Sequence, residues 1–228
     1  MGVCVITFPG SNCDHDCFYV ANNLFKQKTT LVWHEENELP ANTDLVILPG
    51  GFSYGDYLRT GAIAKFSPIM KSIIKFANNG GYVIGICNGF QILTESGLLP
   101  GVLLRNENMK FVCKDVHLKV VNNKTVFTKN YKENKIITIP IAHGEGNFEA
   151  DKDTLKEIQD NDQIAFQYVD IDGNASKYAN PNGSQLNIAG IFNKKKNVLG
   201  MMPHPERCSE ELLGNTDGFK IFSELLGK

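Results

Sequence analysis

Three short apolar runs, Val3–Phe8, Leu45–Leu48 and Tyr82–Ile86, each lead into a glycine-containing turn, and this recurrence constrains the fold more than any other feature. Each run has the length of a buried strand. Helical periodicity lies between them. Cys17, Val20, Ala21, Leu24 and Phe25 recur at helical spacing in a segment reaching about Lys26, with Ser11 and Asn12 as candidate caps. Phe66, Met70, Ile73, Ile74 and Ala77 share one face of a helix expected over Phe66–Asn78, and a further helix is expected over Phe90–Leu99. With Thr29–His34 as another strand, the alternation predicts an α/β fold, an open, mostly parallel sheet with helices on both faces.

From Val102 to about Gly200 the pattern becomes β-rich, an insertion in the C-terminal half of the chain. Strands are expected over Phe111–Val121, Lys135–Ile141 and Gln163–Tyr168, and a hairpin pairs Asn187–Phe192 with Val198–Met202 around the lysine run at 194–196. The hairpin tip reads as a solvated turn. Asp172–Gln185, polar throughout, reads as the softest stretch, and Phe219–Leu226 closes the chain as a helix. One domain over residues 1–228 is the preferred organisation.

In open parallel sheets, sites form at the carboxyl ends of strands, where Pro9-Gly10, Pro49-Gly50-Gly51 and Cys87 all fall. Cys87 sits in Gly85-Ile86-Cys87-Asn88-Gly89, a sharp strand-to-helix turn that its flanking glycines permit. The dipole and free N–H groups of a helix N-terminus favour negative charge on such a side chain. Far downstream, His204-Pro205-Glu206 supplies a proton-moving imidazole and a carboxylate to orient it. Pro205 disfavours helical angles at His204, so the tripeptide is expected to be extended, with His204 and Glu206 on the same side. Nucleophile, base and orienter then follow the logic of acyl-transfer triads. Taken singly, a buried cysteine is more often core filler and a His-Pro-Glu more often a surface turn. Their conjunction with the elbow favours chemistry.

Gly85-Ile86-Cys87-Asn88-Gly89-Phe90-Gln91 together with Met202-Pro203-His204-Pro205-Glu206-Arg207 resembles the class I (triad) glutamine amidotransferases, which hydrolyse glutamine to glutamate and ammonia. Three further segments, 8–14, 49–59 and 142–147, resemble one branch of that family, the glutaminase subunits of a synthetase in purine biosynthesis. The similarity runs from about residue 3 to residue 226; Thr60 stands where cysteine is expected in many relatives, and no chemical role depends on it. The resemblance implies a flavodoxin-like sheet and a catalytic Cys87, His204 and Glu206. It also implies a γ-glutamyl thioester, and an oxyanion hole of backbone N–H groups from Gly51 and Asn88. Gly50-Gly51 is equally readable as a tight turn. Gln91, four residues beyond Cys87, can meet substrate or satisfy buried backbone, and Arg59 can pair with the substrate carboxylate or belong to a subunit contact. His143, in His143-Gly144-Glu145-Gly146, is placed by the resemblance at the rim of the glutamine pocket or on a partner surface.

The same resemblance implies a large synthetase subunit that uses ATP and formylglycinamide ribonucleotide, and a small bridging subunit. ATP and Mg are expected on that partner, and no cofactor or metal on this chain. No phosphate-cradling glycine loop of recognisable form is present. A net charge of −2 without a basic stripe argues against nucleic acid or an anionic membrane as partner. No apolar run approaches a membrane span, and a cytoplasmic location with reduced cysteines is expected. The cluster Cys13-Asp14-His15-Asp16-Cys17 lacks a second ligand pair at zinc spacing, so Cys17 reads as core. Phe52, Tyr54 and Tyr57 suit an interface or a cover for the core.

Overall fold

The computed structural model describes residues 1–227. In chain order the elements are β1 (Gly2–Thr7), α1 (Asp14–Tyr19), β2 (Lys28–Trp33), β3 (Leu45–Leu48), α2 (Ile69–Asn78), β4 (Tyr82–Ile86), α3 (Asn88–Glu95) and β5 (Val102–Leu104). They continue as β6 (Val112–Val120), β7 (Ile136–His143), β8 (Asn147–Glu149), α4 (Lys152–Asp160), β9 (Ile164–Val169), β10 (Ile188–Phe192), β11 (Val198–Met201) and α5 (Phe219–Leu226).

Nine strands form one sheet in the order β2-β1-β3-β4-β11-β10-β9-β6-β7. The β2-β1-β3-β4-β11 half is parallel, and its four apolar residues in β3 are all buried, as a strand covered on both faces requires. From β11 outward every pairing is antiparallel, so the β-rich segments extend the same sheet. β5 and β8 pair separately. The chain leaves β1 for β2 in one direction and β3 for β4 in the other, so right-handed crossovers put α1 and α2 on opposite faces. That reversal between β1 and β3 is the switch point at which such sheets form their crevice. Among the described residues no helix is long and apolar enough to cross a membrane.

Several local expectations are corrected. Ser11 and Asn12 do not cap α1: Cys13 holds the cap position without a side-chain bond, and Ser11 Oγ instead accepts from the Phe8 N–H at 3.0 Å. α1 continues into a wider π turn over Val20–Leu24, yet Cys17, Val20 and Ala21 are buried as the periodicity required. α2 starts at Ile69 because Pro68 holds Ser67 extended (ψ 140°), which leaves Phe66 outside the helix and exposed. α3 begins directly after Cys87 and ends early, where Gly97 (φ +75°) closes a Schellman motif with Gly97 N–H to Thr94 O and Leu98 N–H to Leu93 O.

α4 is not among the expected helices. Its apolar face is only two residues, Leu155 partly and Ile158 fully buried, a short signal among charged neighbours, and Asp151 accepts from the Thr154 N–H at 2.8 Å as an N-cap. The stretch expected to be soft is tied down from within: Asn180 Oδ1 accepts from the Asn182 and Gly183 N–H groups, and Asn182 and Ser184 are buried. Lys196 Nζ, in the lysine run, donates to the carbonyls of Asn161 and Asp162 and so joins the hairpin to the end of α4.

Packing under the elbow is tight enough to test. A Cβ on Gly89 would lie 1.9 Å from Leu48 O in β3, a backbone atom that cannot step aside, whereas one on Gly80 (φ +93°) would meet nothing within 4 Å. Gly89→Ala is therefore expected to cost about 3 kcal/mol or more, through overpacking of helix on sheet. Gly80→Ala is expected to cost only about 1 kcal/mol of backbone strain. Urea-unfolding midpoints check the difference, and equal losses would contradict it.

Candidate active site

β4 delivers Cys87 to the crevice in a left-handed backbone conformation, φ +50° and ψ −104°, which a non-glycine residue adopts only under constraint. The constraint is visible on both sides. The Cys87 N–H donates to Met201 O of β11 at 2.8 Å, and Gly85 and Gly89 approach so closely that a Cβ on Gly85 would lie 2.6 Å from Gly89 O. Cys87 is thus held at the first turn of α3, with its Sγ 3.7 Å from Ala142 O at the end of β7.

His204 arrives from the next parallel strand, β11, and its N–H donates to Pro140 O at 2.8 Å. The tripeptide is not extended. Pro205 opens a 3₁₀ turn over Pro205–Arg207, as a proline at the first helical position does readily, and the turn brings Glu206 Oε1 to 2.6 Å from His204 Nδ1. Both side chains are buried, and His204 Nε2 has no protein partner among the described residues. Burial by itself would push the imidazole down, but the Glu206 carboxylate and the neighbouring Cys87 hold it well above its ordinary value.

Gly50 has a mechanical role here. A Cβ there would lie 2.7 Å from His204 Cε1 and 3.1 Å from Cys13 Sγ, so only glycine lets the ring pack against the loop. Gly51 (φ +154°) bridges to Ser11, joining the loops after β1 and β3. On the far side of His204, Cys13 Sγ lies 3.9 Å from Nδ1 and accepts from Arg207 Nη2 at 2.9 Å, while Arg207 Nε is 3.8 Å from Glu206 Oε1. Cys13, His204 and Glu206 offer three donor atoms within 4.8 Å of one another, an arrangement that would suit a divalent cation. The guanidinium already on Cys13 opposes a second positive charge.

A chain of amides clamps two loops around the elbow. Asn88 Oδ1 accepts from the Ser53 N–H at 3.2 Å, Asn88 Nδ2 donates to Gln91 Oε1 at 3.0 Å, and Gln91 Nε2 donates to Glu145 O at 2.6 Å. Gln91 therefore satisfies buried backbone with the amide that was expected to meet either backbone or substrate. His143 is buried and also lines the cavity beside Cys87, with Nδ1 3.1 Å from Asn106 Oδ1 and Nε2 3.5 Å from Asn182 Nδ2. Burial first, and the charge on His204 second, push it down to about 4, so it is a neutral ring that braces the 142–146 segment. Arg59 forms a two-pronged pair with Glu95 of α3 and does not line the cavity beside Cys87.

That cavity, about 210 Å³, is lined by Gly51, Cys87, Gln91 and Glu145 together with Asp56 and Arg105. A second, of about 180 Å³, opens on Cys87 from the side of His204 and Arg207. Asp56, Arg105 and the Cys13–Arg207 contact are not legible in the sequence as site features, because isolated charged residues and a lone thiol carry no spacing signal. Tyr54 turns inward, its hydroxyl 2.9 Å from His34 Nδ1, whereas Phe52 and Tyr57 stand exposed.

Comparison with known proteins agrees with this geometry. The family described as CobB/CobQ-like glutamine amidotransferase domain matches residues 1–219. The protein called phosphoribosylformylglycinamidine synthase subunit PurQ in Koribacter versatilis is 57% identical over 223 residues, 98% of this chain and 96% of its own length. Its namesake in Salinibacter ruber is 56% identical over 222 residues, 97% of this chain and 94% of that protein. Among solved structures, a chain in the structure of PurLQS from Thermotoga maritima superposes with a TM-score of 0.87 at 44% identity, covering 99% of this chain and 97% of that one. The glutaminase domain of CTPS from Trypanosoma brucei, solved with bound acivicin, shares the fold, with a TM-score of 0.62 at 12% identity over 100% of this chain and 95% of that one. On the family match across residues 1–219 and these full-length relatives, the chain belongs to the CobB/CobQ-like glutamine amidotransferase family.

Proposed function

We propose that this chain is the glutaminase subunit of a phosphoribosylformylglycinamidine synthase, releasing ammonia from glutamine for an ATP-dependent synthetase subunit. The observation that carries the chemistry is the pair His204 Nδ1–Glu206 Oε1 at 2.6 Å, with a buried, unpartnered Nε2 beside the strained Cys87. The relatives' shared name supports the choice of synthetase.

In this reading the Cys87 thiolate attacks the side-chain amide carbon of glutamine, and the carbonyl π electrons move onto oxygen. Backbone N–H groups of Gly51 and of Asn88, at the start of α3, receive that oxyanion; removing one such donor commonly costs ~3 kcal/mol. Collapse breaks the C–N bond, and His204, held protonated by Glu206, gives its proton to the departing ammonia. The neutral ring then takes a proton from water, which attacks the γ-glutamyl thioester and frees glutamate and Cys87. No nucleotide or metal is needed on this chain for these steps; ATP and Mg belong to the synthetase. Phe52, Met109 and Phe111 stand exposed on the cavity lining, and Tyr57 and Leu58 stand exposed just after Asp56 in the chain, which suits cover by that subunit. Such cover would also order the Gly51 loop and restrain wasteful hydrolysis in the isolated chain.

Glutamate release by the wild-type chain should rise at least ~10-fold when synthetase subunits, ATP and formylglycinamide ribonucleotide are added, and should vanish in Cys87→Ser. Cys87-dependent release that ignores the partners would overturn the choice of synthetase. Glu206→Gln should lower kcat on the order of 10²-fold with little change in KM, because it touches His204 and not the substrate. A KM effect alone would contradict that role.

A further inference from the structure

The cavity beside Cys87 contains an anionic group that the chemistry above does not use. Asp56 lines it, and Asp56 Oδ1 is buried without a hydrogen-bond partner among the described residues. An unpaired carboxylate oxygen shielded from water is costly, so it persists where something else is gained. Its backbone carries a second cost. Tyr54, Gly55 and Asp56 are consecutive left-handed residues (φ +54°, +68° and +57°), and Leu58 follows at +69°. The loop is pinned in that shape by Tyr54, whose N–H donates to Pro9 O at 2.7 Å and whose hydroxyl lies 3.0 Å from Ser67 Oγ. Strain of this kind survives only where the surroundings impose it.

Glu145 is the second carboxylate of the same cavity, but it is already satisfied. Its Oε2 accepts from the Thr60 N–H and hydroxyl, and its Oε1 lies 3.5 Å from Arg105 Nε. Arg105 and Lys110 line the cavity as well. The walls around Cys87 thus carry both signs of charge, and among the described lining residues the one side-chain atom both buried and unpaired, Asp56 Oδ1, is on the negative side. A zwitterion with a neutral amide at its far end complements this distribution; a bare cation does not, because two fixed cations share the space.

We propose that Asp56, with Glu145 beside it, binds the α-ammonium group of the substrate, and that this contact selects a free amino acid over amides lacking that group. The inference rests on the glutaminase reading and deepens it by naming what recognises the end of glutamine remote from the chemistry. The charge state agrees: burial first and Glu145 second push Asp56 up to about 6, so it is ionised at neutral pH yet gains from an adjacent cation. Arg105 is the matching group for the α-carboxylate, in place of Arg59, which is engaged with Glu95.

The test uses the full chain assembled with its synthetase subunits and carrying Cys87→Ala, so that ligands bind without turnover. Calorimetric titration at neutral pH compares L-glutamine with glutaramate, which is glutamine without its α-amino group. Glutamine should bind at least ~10-fold more tightly than glutaramate; Asp56→Asn should remove most of that advantage, weakening glutamine ~10-fold and glutaramate less than ~3-fold. Asp56→Glu should restore part of the preference. Equal weakening of both ligands, or no weakening of either, would overturn the proposal, since a role confined to holding the loop cannot tell the two apart. Separately, the assembly with Cys87 intact is assayed for glutamate release. Selective binding without release would leave the Asp56 assignment standing and overturn the glutaminase reading, and release without the Asp56-dependent preference would do the reverse.

Discussion

The left-handed backbone at Cys87 is the constraint around which this site is built. A residue with a Cβ is held there because β4 is paired on both sides, because the Cys87 N–H is taken by Met201 O, and because α3 packs on β3 without an intervening side chain at Gly89. Each contact leaves the chain few ways to relax. The strain of about 1–3 kcal/mol is a small fraction of what the buried sheet contributes. In return the thiol stands at a helix N-terminus facing the switch-point crevice, whatever the loops around it do.

Everything else in the site is placed relative to that elbow by polar side chains. Asn88 and Gln91, both buried on α3, reach in opposite directions to the loop at Ser53 and to the segment at Glu145. Asn106 and Asn182 do the same for the neutral His143 behind that segment. Amide groups suit this work because each offers donors and an acceptor and carries no charge to desolvate. Charged groups concentrate in two places. One is the buried His204–Glu206 pair with Arg207 and Cys13 behind it, and the other is the cavity wall of Asp56, Glu145 and Arg105. The scaffold of the site is thus uncharged, and the charge lies on the buried His204–Glu206 pair and on the cavity wall.

Much of this architecture is legible in the sequence. The buried runs that form β1, β3 and β4 are short, apolar and bounded by glycine or proline, a pattern with few alternatives. The Cys87 elbow and the His-Pro-Glu tripeptide are likewise local. What the sequence misplaces is local geometry governed by a neighbour. Phe66 has the right spacing to face the core, but Pro68 delays the helix past it. His204 and Glu206 meet through a 3₁₀ turn and not along an extended strand, so the pairing is as expected but arises from a different geometry. α4 is easily missed because its apolar face is only Leu155 and Ile158, two residues in a short and otherwise polar segment.

The class of fold, the parallel core and the three residues best suited to acyl transfer follow from the amino-acid order alone, because strand length, glycine position and residue chemistry act within a few residues of one another. The surroundings of those three residues follow only from how the chain packs. Packing turns Arg59 away to Glu95, buries His143, sets Cys13 and Arg207 behind His204, and leaves Asp56 on the cavity wall with its Oδ1 buried and unpaired. Those outcomes depend on which loops meet above the sheet, and contacts between residues far apart in the chain follow from strand order and backbone strain, which no local pattern encodes.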